Sequence, residues 1–272
     1  MTDYRYVQVD AFADRPFTGN PAAVMPLDEW LPDETLQAIA MEHNLSETAF
    51  TVRDATGEAD YELRWFTPTV EVVLCGHATL ASGHVLMGSG ADPDRVRFRT
   101  RRAGGLEVAT DPGSGSGAGA GGYAMTLPAW RPDPKPLPAI LKALGLAEAE
   151  TLWHPNRYGL VVVEDEAQIL ALSPDFKALA AEGDVLTIVT APGRSTDVVS
   201  RVFAAGAGID EDPVTGSAHC VLTPYWTDRL GRDHFSAYQA SKRGGHVQCR
   251  LAGDRVVLGG RCVTVMEGVM RL

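Results

Sequence analysis

Cysteine is scarce in this chain. Four thiols in 272 residues, Cys75, Cys220, Cys249 and Cys262, are scattered without CxxC spacing. Neither a disulfide framework nor a zinc module is expected, and a reducing cytoplasm is the simplest setting. Long apolar runs are missing as well: no window approaches the ~18 uninterrupted apolar residues that a membrane span needs. The alternating start, Met1-Thr-Asp-Tyr-Arg-Tyr-Val-Gln-Val9, lacks the apolar centre of a signal peptide. Positive charge is short, 24 Lys and Arg against 35 Asp and Glu for a formal net charge of -11, which argues against nucleic acid as a partner. Its one basic cluster, Arg95, Arg97, Arg99, Arg101 and Arg102, alternates along a predicted strand and reads as a solvated face. No glycine run stands in a strand–GxGxxG–helix context, and neither Ser82 nor Ser217 sits in Gly-x-Ser-x-Gly, so dinucleotide binding and serine hydrolysis are not expected. His43, His84, His219, His234 and His246 lack metal-ligand spacing, and no metal is expected.

What the chain does have is a globular composition, 45% hydrophobic and 22% charged, and a motif that occurs twice. In the first copy a β-branched run from Val70 to Leu74 breaks at Cys75-Gly76, and an Ala/Leu-rich segment with helical spacing follows to Leu86. That reads as strand, tight turn, buried helix. About half a chain later, Asp212-Pro-Val-Thr-Gly216 is the turn and Ser217-Ala-His-Cys-Val-Leu222 opens another apolar helix. Gly76 aligns with Gly216, His77 with Ser217 and Ala78 with Ala218. A glycine at a helix start admits close approach of a ligand, and the free N–H groups with the helix dipole favour an anion there. Two such starts predict a clamp for a small anionic molecule.

The duplication predicts two lobes, 1–122 and 123–272, with the last strand, about 262–272, a candidate to join the first. Many short strands with one buried apolar helix per half make the class α+β: mixed sheets curling round a central helix in each lobe. A helix is expected from Pro32-Asp33 to a stop at Asn44, and Asp111 to Gly122 is the one low-complexity segment, expected as a surface loop near the lobe boundary. Between that helix and a strand at Thr48 to Val52 stands Glu47. A carboxylate there is expected to be partly withdrawn from water, which suits a group that takes and returns a proton.

Seven segments carry a resemblance: Val9-Asp-Ala-Phe12, Phe17-Thr-Gly-Asn-Pro-Ala-Ala-Val24, Asn44-Leu-Ser-Glu-Thr-Ala-Phe50, Arg64-Trp-Phe-Thr-Pro68, Leu74-Cys-Gly-His-Ala-Thr79, Glu211-Asp-Pro-Val-Thr-Gly-Ser-Ala218 and Tyr238-Gln239. In order and across almost the whole chain, they resemble the PhzF-like isomerases named after phenazine biosynthesis, within the diaminopimelate-epimerase superfamily. The resemblance implies two pseudo-symmetric, barrel-like lobes, a cofactor-free active site in the cleft between them, a small carboxylated substrate and a homodimer. By the same resemblance Glu47 is the general acid/base and His77 and Asp212 contact substrate. Asn20, Ser46, Gly76, Gly216 and Ser217 are carried over as substrate-binding residues. Superfamily epimerases use two cysteines at the two helix starts; here Cys75 occupies the first place and Asp212-Pro213 the second, which disfavours a two-thiol racemase. The turn after Gln239, Gln239-Ala-Ser-Lys-Arg-Gly-Gly245, departs from the family's glycine-rich turn, so specificity is expected to differ there. The alternatives are a Cys75-dependent epimerase and a metabolite-binding protein without catalysis.

Overall fold

The computed structural model describes residues 1–90, 94–111, 113 and 121–272. In chain order its elements are β1 (Asp3–Ala11), β2 (Asn20–Pro26), α1 (Asp33–His43), β3 (Glu47–Arg53), β4 (Tyr61–Phe66), β5 (Glu71–Val72), α2 (Gly76–Gly88), β6 (Arg95–Thr100), β7 (Gly105–Asp111) and β8 (Gly122–Pro128). There follow β9 (Asp133–Pro134), α3 (Pro138–Leu144), β10 (Glu150–His154), β11 (Tyr158–Val162), α4 (Glu166–Ala171), α5 (Phe176–Ala181), β12 (Leu186–Pro192) and β13 (Val198–Phe203). A short 3-10 turn, Ala205–Ala207, precedes α6 (Gly216–Leu230), β14 (His234–Gln239), β15 (Gly245–Ala252), β16 (Arg255–Gly260) and β17 (Cys262–Arg271). Most of the low-complexity segment, residues 112 and 114–120, lies outside the described residues. Among the described residues no helix is long and apolar enough to cross a membrane.

The chain divides into two compact units, Met1–Thr126 with Gly259–Leu272, and Leu127–Leu258. Each has the same strand succession. In unit 1 the pairings β1/β2, β2/β3, β3/β4, β4/β6 and β6/β7 run antiparallel, parallel, antiparallel, parallel, antiparallel. In unit 2 the pairings β10/β11, β11/β12, β12/β13, β13/β14 and β14/β15 repeat that series. A parallel pair needs a crossover, and the second crossover of each unit carries the buried helix, α2 or α6. The class is therefore α+β with mixed sheets.

Local sequence explains the elements that hold the site. Helix α1 begins after Pro32 with Asp33 and Glu34 in its first turn and stops where Asn44 turns left-handed at φ 50°. Helix α2 contains no Asp, Glu, Lys or Arg, and every residue from Gly76 to Met87 except His84 is buried. An all-round apolar helix must be enclosed, and α2 packs on β1, β2, β3, β6, β7 and β17. Along β6, Val96, Phe98 and Thr100 point into the core, while Arg97 and Arg99 on the other face pair with Asp60, Asp54 and Glu62. The basic cluster is thus a solvated face, and the acids of neighbouring segments neutralise it.

The structure shortens one predicted element. The run Val70 to Leu74 forms only a two-residue strand, Glu71–Val72, and Val70 and Val73 stay 55% and 48% exposed. Thr67 closes a turn on Val70, its backbone N–H donating to the Val70 carbonyl at 2.9 Å and its hydroxyl oxygen accepting from the Val70 N–H at 3.0 Å. Turn chemistry overrides β propensity there. Arg64 then pins the segment: its buried guanidinium bonds both oxygens of Glu71, at 2.8 and 2.9 Å, and Asp33 at the start of α1, at 2.8 Å. This clamp fixes the approach to the start of α2.

Candidate active site

Glu47 is the first residue of β3, which lies parallel to β2 in register Ala22↔Glu47. Asn20 opens β2 two residues before Ala22, and Cys75 and His77 stand at the start of α2, which packs across both strands. Three segments far apart in sequence thereby converge. His77 Nε2 lies 3.0 Å from Glu47 Oε2, with the side chains 4% and 14% exposed. The contact is not aligned as a hydrogen bond, so that buried oxygen has an acceptor site unfilled. On the other side of the ring, Nδ1 lies 3.1 Å from Asn20 Nδ2, and the Ser46 hydroxyl donates to Asn20 Oδ1 at 3.1 Å. Cys75 Sγ is 3.5 Å from Nδ1 and 4.0 Å from Nε2.

With the amide oriented so, Nδ1 accepts and the ring proton sits on Nε2, facing Glu47. Turning the Asn20 amide end for end would let Nδ1–H donate to Oδ1 and admit the imidazolium. His77 therefore has two protonation states within reach of one ring position. Burial disfavours a charged ring; Cys75 and the Glu47 carboxylate, in that order, oppose it and raise the ring well above the usual imidazole value. Cys75 itself is pushed up to about 11 by burial and then by Glu47, so it is a thiol near neutral pH. Only the share of the His77 rise that comes from Glu47 operates there.

Both buried helices begin alike. Cys75 and Thr215 are the N-caps in extended conformation, neither side chain caps the first turn, and neither first turn holds an acidic residue. Each N-cap carbonyl is bonded from the side chain four residues on: Thr79 Oγ1 donates to Cys75 O at 2.5 Å, and His219 Nδ1 to Thr215 O at 2.8 Å. The residue equivalent to Cys75 is thus Thr215, three positions after the Asp212 expected there. No thiol occupies the second start in either case.

In unit 2 the turn before α6 is locked from below by Gln239, which the resemblance included only as part of a motif. Its fully buried amide accepts from Thr215 N–H at 2.9 Å and donates to Asp212 O at 2.7 Å and Thr215 Oγ1 at 3.1 Å. Thr215 Oγ1 in turn donates to Asp212 Oδ2. The altered turn after Gln239 latches on as well, with Ser241 Oγ donating to Pro213 O at 2.8 Å. Gly244 there has φ 66°, and a Cβ on it would meet the Tyr238 hydroxyl at 2.1 Å, so that glycine is sterically required. Ser217 shares a hydrogen bond with Tyr158, whose hydroxyl burial pushes up to about 12.

The fold therefore gathers Asn20, Ser46, Glu47, Gly76 and His77 within unit 1, and Asp212, Gly216 and Ser217 within unit 2. Of the two residues carried over as substrate contacts, Asn20 turns its amide nitrogen to His77 Nδ1 and Ser46 donates its hydroxyl to Asn20 Oδ1. His219, one of the histidines without metal-ligand spacing, is wholly buried, its Nδ1 bonded to Thr215 O and its Nε2 lacking a hydrogen-bond partner. No metal-ligand spacing shows in the sequence, yet Glu47, Cys75 and His77 place one donor atom each within 4.8 Å of one another.

Comparison with known proteins bears on the family and the fold. The sequence matches the family described as phenazine biosynthesis-like protein (PhzC-PhzF) over residues 9–268. It is 52% identical over 271 residues to an uncharacterized isomerase of Pseudomonas aeruginosa, covering 97% of this chain and 98% of that one. A crystal structure of a PhzF-family phenazine biosynthesis protein from Enterococcus faecalis superposes with a TM-score of 0.89 at 42% identity, covering all of both chains. The fold alone extends further, to a hydroxyproline epimerase from Agrobacterium vitis, with a TM-score of 0.63 at 12% identity over 98% of this chain and 92% of that one. On its motifs, its fold and these matches, the chain belongs to the phenazine biosynthesis-like (PhzC-PhzF) family, and two of its relatives carry the name of uncharacterized isomerases.

Proposed function

We propose that the protein is a cofactor-independent isomerase that moves a proton within a small carboxylated metabolite, with Glu47 as the general acid/base. The observation that carries this reading is the Glu47–His77 contact beside an uncapped, buried helix start. Glu47 Oε2 has an unfilled acceptor site 3.0 Å from His77 Nε2, and Asn20, itself bonded by Ser46, sets the ring. The N–H groups at Gly76 and His77 offer the substrate carboxylate a dipole-favoured anchor, and developing negative charge the same stabilisation. Glu47 takes a proton from an activated carbon and returns it elsewhere on the same face, as a 1,3- or 1,5-shift. Asp212, Gly216 and Ser217 are assigned as further substrate contacts on the family resemblance.

A Cys75-dependent epimerase has less support: the thiol is held near 11, and Thr215 offers no second thiol. Loss of catalysis has none in an intact Glu47, His77 and Asp212. A homodimer and a cytoplasmic setting belong to the same proposal, and light scattering on the purified chain tests the first.

The deciding experiment follows deuterium incorporation from D₂O into small carboxylic acids, including amino acids, hydroxyproline and dihydro-hydroxyanthranilate. Wild type exchanges one of them and Glu47→Gln is slower by ~10²- to 10⁴-fold, the usual worth of a placed acid/base. Full exchange by Glu47→Gln on the substrate so found would remove Glu47 from the role. Binding without exchange by wild type would favour a metabolite-binding protein.

A further inference from the structure

Cys75 takes no part in the proton transfer proposed above, yet its sulfur stands against the two groups that do. We propose that Cys75 Sγ, His77 Nε2 and Glu47 form a site for one borderline-soft divalent cation, Zn²⁺, whose occupation takes Glu47 and His77 out of proton transfer. Zinc binding itself does not depend on the isomerase reading; only its consequence for activity does.

Three features point to zinc. The donor set is one sulfur, one imidazole nitrogen and one carboxylate oxygen, which suits Zn²⁺, whereas Mg²⁺ and Ca²⁺ prefer oxygens alone. A thiolate and a carboxylate carry two negative charges beside a neutral ring, so a dication leaves this buried group of side chains without net charge. The geometry is close: tetrahedral zinc with bonds of about 2.0–2.3 Å separates its donors by about 3.3–3.7 Å. The observed separations are 3.0 Å for Nε2 to Oε2 and 4.0 Å for Sγ to Nε2, and no pair in the set exceeds 4.8 Å. Cys75 Sγ, now nearer Nδ1 at 3.5 Å than Nε2 at 4.0 Å, has to rotate towards Nε2 to close the set, with the fourth position left to water.

The surroundings accommodate the change of protonation. Coordination at Nε2 moves the ring proton to Nδ1, which then needs an acceptor. Asn20 supplies one by turning its amide so that Oδ1 faces the ring, and the Ser46 hydroxyl, donor and acceptor both, turns to accept from Nδ2. The Cys75 proton is released to solvent as the Zn–S bond forms, since a coordinated thiol is deprotonated.

The test needs no substrate. Zinc is titrated into the full-length, reduced protein against a chromophoric chelator, and Co²⁺ is used as a spectroscopic stand-in. Wild type takes up one zinc per chain, and its cobalt form shows a thiolate-to-metal charge-transfer band. Cys75→Ser abolishes the band and weakens zinc by about tenfold or more, and His77→Gln also weakens it at least about tenfold. Cys262→Ser changes neither; Cys262 is the one thiol of the four that is not fully buried. No zinc uptake by wild type, uptake undiminished in both Cys75→Ser and His77→Gln, or a charge-transfer band that survives Cys75→Ser would each overturn the proposal. None of these results touches the Glu47 role, which is measured by exchange without metal.

Discussion

His219 is where a single side chain has a measurable effect beyond its neighbours. It is fully buried on α6, and burial, against the Thr215 bond, lowers its ring to about 4, while an unfolded histidine titrates near 6.5. Between those values the unfolded chain takes up a proton that the folded chain refuses, so this contribution to stability is lost as pH falls from about 6.5 towards 4. From pH 7 to pH 5 the loss is about 2 kcal/mol. Denaturant titrations at the two pH values are expected to show that His219→Gln narrows the difference by that amount; an unchanged difference would mean that the ring charges in place. Individual residues at the site were legible to differing degrees. Glu47 and His77 stood out because motif and position marked them. Their contact, thirty residues apart, did not, because it requires β2 and β3 to pair in parallel and α2 to cross them. Gln239 was visible only as part of a motif, since nothing in a strand sequence shows that its amide reaches back to the turn at Asp212.

At the scale of elements, α2 shows how tightly the central helix is held. A Cβ on Gly83 would come within 2.5 and 2.7 Å of Val108 Cγ1 and Cβ on β7, while one on Gly88 meets nothing within 4 Å. Alanine gains about 1 kcal/mol over glycine in a helix interior, but overpacking costs about 1–3 kcal/mol. Gly83→Ala is therefore expected to lower Tm and Gly88→Ala to leave it unchanged or raise it, each kcal/mol corresponding to about 2–4 °C at this size. Equal effects of the two would show that β7 yields to the helix. Helices α1 and α2 were legible from their caps and composition. The predicted strand before α2 was mostly lost because the turn at Thr67 and the Arg64–Glu71 clamp, neither readable from propensity, take that segment. Strand β10 (Glu150–His154) was not legible, because Leu152 alone of its five residues is buried and no apolar alternation marks it.

For the whole molecule, the repeated strand succession was foreshadowed by the twin glycine motifs, but the way the chain ends is less symmetric. Nine residues of β1, Asp3 to Ala11, pair with β17. Removing residues 262–272 leaves β1 with one edge open, and open edges recruit other chains. The truncated protein is expected to aggregate, and limited proteolysis to digest unit 1 while a fragment close to Leu127–Leu258 survives. Equal digestion of both units would mean that they unfold together.

That late partner matters on the ribosome. The 132 residues of Leu127–Leu258 are made between the two parts of unit 1. At about 5–20 residues per second, the roughly 250 residues from the end of β1 at Ala11 to the start of β17 at Cys262 take about 13–50 s to make. During that time the nascent N-terminal sheet is an unfinished edge that a chaperone has to shield, while the second unit, contiguous in sequence, has already emerged whole.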